Sequence, residues 1–301
     1  MSDQVWVVGE VLIDLIPDES KHVAVVGGGP ANTAKALAKL GVKTHFIDGI
    51  SNDEYGQMAK AELLSANVLL DYAQYSNKPT CTAKVSLSKS GSASYEFVTE
   101  DTATFDFSDQ WLPDPQSLKP SLLHIGTIAT VIEPGASVLF EWAQSVANVA
   151  PIVFDPNIRP AVLGDRVEYV KKVEKWVAIS SAVKVSDEDL NWLYPGKVIN
   201  EIVNKWLEVG VELVLVTLGD KGITAYRKNE QTSIDVVKVV VVDTVGAGDT
   251  VGAVLAEAIV TNGLDNLTGE VLQTMLNRAT KAAAITVSRT GANPPSKEEI
   301  D

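Results

Sequence analysis

The chain has 301 residues, 46% of them apolar, and a formal charge of −14. That length can bury a sizeable core, and the acidic balance argues against a nucleic-acid binder, whose partner's phosphates demand a basic face. A single cysteine, Cys81, excludes an intrachain disulfide and a thiolate metal cluster; it reads as a packing residue in a reducing compartment.

The N-terminus shows neither the basic start nor the long apolar run of a signal peptide, and no apolar stretch approaches the roughly 20 residues of a membrane helix. A cytoplasmic protein without a membrane span is expected. Residues 5–8 read as a strand. Residues 11–16 form an apolar stretch interrupted by Asp14, whose carboxylate either faces water by strand alternation or is buried and held by a hydrogen-bonding ligand. Gly27-Gly28-Gly29-Pro30-Ala31-Asn32 then opens a helix over 31–40, offering backbone N–H groups and one amide side chain. This is an ordinary helix start or a cradle for a polyhydroxylated ligand.

A strand at 44–50 and a helix at 55–66 follow. From 80 to 99 the pattern changes to strict alternation around Ser88-Lys89-Ser90-Gly91, which predicts a β-hairpin. With 11–26 as a companion strand pair it could form a small sheet standing off the main one as a lid, or it is a surface decoration. Pro113 to Pro120 reads as a loop. Strands at 122–125, 152–155, 182–185 and 213–218 alternate with helices at 138–147, 187–193 and 199–208. A strand at 236–242 precedes helices at 248–261 and 272–287. No linker, internal repeat or low-complexity tract interrupts this rhythm. The expectation is one α/β domain over 1–301 with a largely parallel sheet, the lid coming from about 11–26 and 80–104.

The most informative run is Asp243-Thr244-Val245-Gly246-Ala247-Gly248-Asp249-Thr250, placed between the 236–242 run and a helical pattern. Free backbone N–H groups and the positive helix end converge there, so Gly246, Ala247 and Gly248 admit a phosphate or developing oxyanion to the main chain. A carboxylate inside such an anion hole calls for a reason. Asp249 either caps the helix or acts as a general base. The Gly-x-Gly spacing also loosely mimics a dinucleotide fingerprint, here late in the chain.

Together these runs resemble the ribokinase-like sugar kinases, the PfkB family. Val7-Val8-Gly9-Glu10, Val216-Thr217-Leu218-Gly219-Asp220-Lys221-Gly222 and Arg289-Thr290-Gly291-Ala292 extend the resemblance over nearly the whole chain. It implies a ribokinase-like fold with helices on both faces of the sheet. Asp249 would be the base, 246–248 would stabilise the transferring phosphoryl group, and Asp14, Gly28, Gly29 and Asn32 would hold the sugar. It places ATP against Thr217, Gly219 and Gly222, beside Lys184 and Ser186, with Thr280 standing where relatives often carry Asn near the adenine. Many members have Asn-x-x-Glu near Mg²⁺. Here the run is Ser186-Asp187-Glu188-Asp189, so Asp189 or Glu188 would serve the metal indirectly, or is solvated helix charge. Activation by K⁺ and homodimers through the lid also occur in the family.

Asp155-Pro156-Asn157-Ile158-Arg159-Pro160 and Tyr95-Glu96-Phe97 look like bacterial fructokinases. The first run also occurs in 2-keto-3-deoxygluconate kinases, whose acid substrate requires paired cations. The hairpin adds Glu100 and Asp101 and no arginine, which favours neutral fructose, with Phe97 covering its apolar face and Arg159 beside it. Arg159 could instead pair with Asp155. A nucleoside kinase, or a sugar- or nucleotide-binding sensor without turnover, are the competing readings.

Overall fold

A computed structural model describes residues 4–18, 21–87 and 93–301. The first half runs β1 (Gln4–Val8), β2 (Leu12–Asp18), β3 (Lys21–Gly27), α1 (Gly29–Lys39), β4 (Lys43–Ile47), β5 (Gly49–Ser51), α2 (Glu54–Ser65), β6 (Gln74–Ser76), β7 (Thr82–Leu87), β8 (Ala93–Val98), α3 (Pro115–Leu118), β9 (Leu122–Gly126), α4 (Gly135–Ala147) and β10 (Ile152–Asp155). The second runs α5 (Arg166–Val177), β11 (Ala182–Ser186), α6 (Asp187–Leu193), α7 (Ile199–Glu208), β12 (Leu213–Thr217), β13 (Ile223–Arg227), β14 (Glu230–Ile234), α8 (Ala247–Asn262), α9 (Gly269–Val287) and α10 (Lys297–Ile300). The hairpin turn predicted at Ser88-Lys89-Ser90-Gly91 lies outside the described residues.

The main sheet has eight strands in the order β14-β13-β12-β11-β10-β9-β1-β4, parallel from β4 through β12 and antiparallel across β13 and β14. Its parallel strands are apolar on both faces because both faces are covered. Alternation along β1 sends Val5 and Val7 into a core with α1, α2, α8 and α9, and Trp6 and Val8 into a second core with α4, α5, α6 and α7. Full burial of a side chain of that size contributes about 1.5–3 kcal/mol, so β1 is a strong determinant of this layering. Among the described residues no helix is long and apolar enough to cross a membrane.

A second sheet, ordered β3-β2-β7-β8, stands off the first as the predicted lid. Its centre is a parallel pairing of β2 with β7, flanked by two antiparallel pairs. The lid is rooted where β1 leads into β2: Val11 N–H donates to the buried Asp48 at 2.9 Å, and Thr104 Oγ donates to Val11 O at 3.1 Å.

Three sequence expectations need correction. The valine run 236–242 makes no strand; β14 already closes that end of the sheet, and the run's Val240 and Val241 are 82% and 59% exposed. Helix α5 and the β13–β14 hairpin were not foreseen; α5 begins where Asp165 accepts from the N–H groups of Val167 and Glu168. Within the proline-rich loop, α3 makes one helical turn capped by Asp114.

Candidate active site

The C-terminal ends of parallel strands are where an open α/β sheet leaves room for a ligand. Here the chain leaving β1, β9 and β10, the end of β11, the first turns of α1 and α8 and one face of the lid enclose a cavity of about 400 Å³. Glu10, Asp14, Gly28, Gly29, Asn32, Phe97, Ile128, Asn157, Arg159, Lys184, Gly246, Gly248 and Asp249 are among its lining residues.

Two turns build the floor. Gly28 precedes α1 with φ 106°, and a β-carbon there would stand 2.3 Å from the Glu10 carbonyl oxygen, so only glycine lets the helix start this close to β1. Gly246 is the N-cap of α8 in the left-handed region, at φ 80°. Asp249 therefore lies inside α8's first turn and caps nothing; its Oδ2 instead accepts from Asn32 Nδ2 on α1 at 2.9 Å. The capping alternative and the dinucleotide-fingerprint alternative both fail, the second because no strand precedes the glycines. Asp249 is 8% exposed, and burial raises its pKa to about 6, with Lys184 the largest opposing influence. It is thus mostly ionised at neutral pH, as a proton acceptor requires.

Lys184, from β11, is buried and bonded to Asp155 Oδ2, from β10, at 2.9 Å. Burial disfavours its charge, yet Asp155 and Asp249 more than offset this and hold its pKa above the ordinary value. The ammonium lies beside α8's first turn, 2.8 Å from where a β-carbon on Gly248 would stand. The expected alternative pairing of Arg159 with Asp155 does not form. Arg159 Nη1 donates to the Asn157 and Ile158 carbonyls and, at 2.7 Å, to Asn157 Oδ1.

On the lid, Asp14 is half-buried and faces the cavity, not open water; burial raises its pKa to about 6, against a smaller pull from Arg159. Phe97 shares its sheet face, since Ala83 pairs with both.

The remaining predicted residues lie outside this lining. Ala247 opens α8 between its two glycines, Thr217 ends β12, and Gly219 and Gly222 flank the turn that follows. Ser186 caps α6 in a reciprocal capping box with Asp189, whose other oxygen accepts from Ile158 N–H at 2.9 Å. Glu188 is exposed on the same turn. Thr280 is buried in α9 and donates to Asn277 O at 3.0 Å. Among the described residues no group of three or more His, Cys, Asp or Glu side chains could hold a metal ion.

Sequence reasoning gave no role to Glu10 or Thr127. Glu10 is 3% exposed, accepts from Thr127 Oγ1 and, at 3.3 Å, from Ala129 N–H, and burial raises its pKa to about 7. Thr127, a β-branched residue, sits at φ 57°, and Asn157 at φ 37°. Such backbone costs of order 1–3 kcal/mol each and collects at functional sites. The available signal was Glu10 itself, a lone acid between two apolar runs.

The model for pfkB family carbohydrate kinases matches residues 2–299. A fructokinase of Rhizobium leguminosarum bv. trifolii is 33% identical over 264 residues, covering 86% of this chain and 79% of the relative. Among solved structures, fructokinase from Xylella fastidiosa with bound ATP superposes with a TM-score of 0.92 at 23% identity over 100% of this chain and 97% of its own, a likeness of fold. A double mutant of Vibrio cholerae fructokinase in a fructose-, ADP- and potassium-bound form gives 0.86 at 27% identity, over 97% of this chain and 95% of its own.

Proposed function

The chain belongs to the pfkB family of carbohydrate kinases; it is an ATP-dependent sugar kinase, and we propose that its acceptor is fructose and its general base Asp249. The observation that carries the reading is the placement of Asp249: a nearly buried carboxylate at the helix end where backbone N–H groups gather, facing the cavity beneath a lid acid. In the reaction the sugar hydroxyl oxygen bonds to the γ-phosphorus as the bond from that phosphorus to ADP breaks. The hydroxyl proton passes to Asp249. The N–H groups at Gly246, Ala247 and Gly248 face the growing negative charge. Asp14, the Gly28-Gly29 turn and Asn32 hold the sugar hydroxyls, Phe97 covers an apolar face, and Arg159 bounds the pocket. ATP approaches along the end of β12, past Thr217, Gly219 and Gly222, towards Lys184 and Ser186, with Thr280 behind the adenine.

Among the described residues the side chains form no metal cage, and Asp189 already serves two backbone donors. This fits Mg²⁺ carried by the nucleotide phosphates and its own waters, with the exposed Glu188 available for an outer contact. The potassium bound by the Vibrio cholerae enzyme supports a test of K⁺ activation here. Pairing of two copies through the lid is supported by Ile16, Val23 and Val25, which share one lid face at 37–41% exposure.

Fructose is favoured over a sugar acid because Lys184, one of the two cations lining the cavity, is already paired with Asp155, and Nη1 of the other, Arg159, is bonded within its own loop. Glu10, Asp14 and Asp249 add only acids. ATP-dependent ADP release should be measured with Mg²⁺ and K⁺ against fructose, ribose, 2-keto-3-deoxygluconate, adenosine and no acceptor. Turnover of fructose that disappears in Asp249→Asn is the expected result. Turnover of the acid sugar alone would overturn the acceptor assignment, and silence with all of them the kinase reading.

A further inference from the structure

Asp155 has an unusual environment. It is 1% exposed, its Oδ2 meets Lys184 at 2.9 Å, and its Oδ1 is buried without a hydrogen-bond partner. A carboxylate buried with one half unsatisfied is costly unless its one ion pair matters. That partner could choose otherwise. Lys184 lies beside the first turn of α8, close enough for the Asp249 charge to act on it, and a lone buried ammonium between two carboxylates pairs with whichever is better placed.

We propose that Asp155 is a positioning residue for phosphoryl transfer: it pins the Lys184 ammonium beside Gly248, so that the cation is presented to the transferring group and does not collapse onto Asp249. The inference rests on Asp249 being the base. A lysine bonded directly to that carboxylate would occupy the oxygen that must accept the sugar proton and make it a weaker acceptor. Asp155 holds the lysine at 2.9 Å, and Asp249, whose Oδ2 accepts from Asn32, lines the cavity.

The groups facing Asp249 are Lys184 from β11, Asp155 from β10, Arg159 from the loop after β10 and Asn32 from α1. Glu10 and Asp14 line the same cavity, and His124 of β9, held neutral by burial, lies under Gly252 of α8. Because several acids titrate in this cavity, kinetics alone would not identify the one that moves. The test is therefore a carboxyl ¹³C NMR titration of Asp-labelled full-length protein, assigned with Asp249→Asn, alongside turnover.

Asp155→Asn should move the Asp249 midpoint down by about 2 pH units, because the Asp155 charge that raises it is lost and the lysine also transfers to it. Lys184→Met should move it up by about 1 unit, and on that background, where no lysine can transfer, Asp155→Asn should move it down by about 1 unit or less, through the lost charge alone. Against fructose, Asp155→Asn should lower kcat about 10-fold or more with KM within about 3-fold, while the same change on the Lys184→Met background costs less than about 2-fold. This last comparison stands even if Asp155→Asn alone does not fold. A downward shift in Asp155→Asn no larger than the one on the Lys184→Met background, or a full further loss of kcat on that background, would overturn the inference. Wild-type protein inactive on every sugar would sink the kinase reading, whereas the titration would still decide whether Asp155 keeps the lysine off Asp249.

Discussion

The floor and the lid of the cavity are built on opposite principles. The floor is parallel sheet plus two helix starts, with four buried polar groups held as two short hydrogen-bonded pairs, Asp249 with Asn32 and Lys184 with Asp155. The lid is four short strands with apolar residues still exposed on the Asp14 face, packed on the body through buried Ile13, Val26 and Ala83 and hydrogen-bonded to it at Val11. On the proposed reading the floor would fix the atoms that react, which tolerate little error, while the lid would meet the sugar and need freedom to open. Substitutions in the floor should therefore strike kcat, and those in the lid KM.

The sharpest test of that division is Asp249→Asn, for which kcat should fall by about 10²–10⁴ with the fructose KM little changed. A large KM effect would break the comparison. Asp14→Asn comes next: losing a charged acceptor for sugar hydroxyls should raise KM about 10- to 100-fold, with a smaller change in kcat.

Glu10, at the seam between the regions, should show itself in stability. Its folded pKa of about 7 stands above its ordinary 4.5, so its contribution is fully present below pH 4.5 and is lost as pH rises through 7. The difference, 7 − 4.5 = 2.5, corresponds to about 3 kcal/mol. Glu10→Gln keeps an acceptor for Thr127 and has no proton to lose. Its stability relative to wild type in urea unfolding should improve from pH 5 to pH 8 by up to about 3 kcal/mol. Phe97→Ala should have the smallest effect, a KM increase of about 3- to 10-fold for fructose, read in the same assay.

The floor was the more legible region in the sequence, because glycines, a helix start and an acid placed within a few residues of one another announce themselves locally. Asp249 and Gly28 belong to such runs, and the structure brings both to the cavity. What pairs with them was not legible, since those contacts join distant segments: Thr127 lies 117 positions from Glu10, and Asn32 lies 217 from Asp249. The valine run 236–242 misled for a different reason. Its composition suits a strand, but composition cannot report that β14 has taken the edge position. On the lid the alternating pattern of 80–99 identified the hairpin, yet the parallel joint between β2 and β7 depends on register across some 70 residues and left no local trace.

Helix α8 is buried continuously from Asp249 to Ile259, against α1, α9 and β9. A helix enclosed on every side has no partial opening available to it, so its amide protons should exchange with solvent only when the whole protein unfolds. Protection at 253–259 then measures global stability, and protection in β2 and β3 measures how readily the lid sheet itself opens, which on the proposed reading bounds the passage of the sugar. Deuterium uptake, which reports both from a single sample, would place the timing of ligand passage and the durability of the catalytic centre on one free-energy scale.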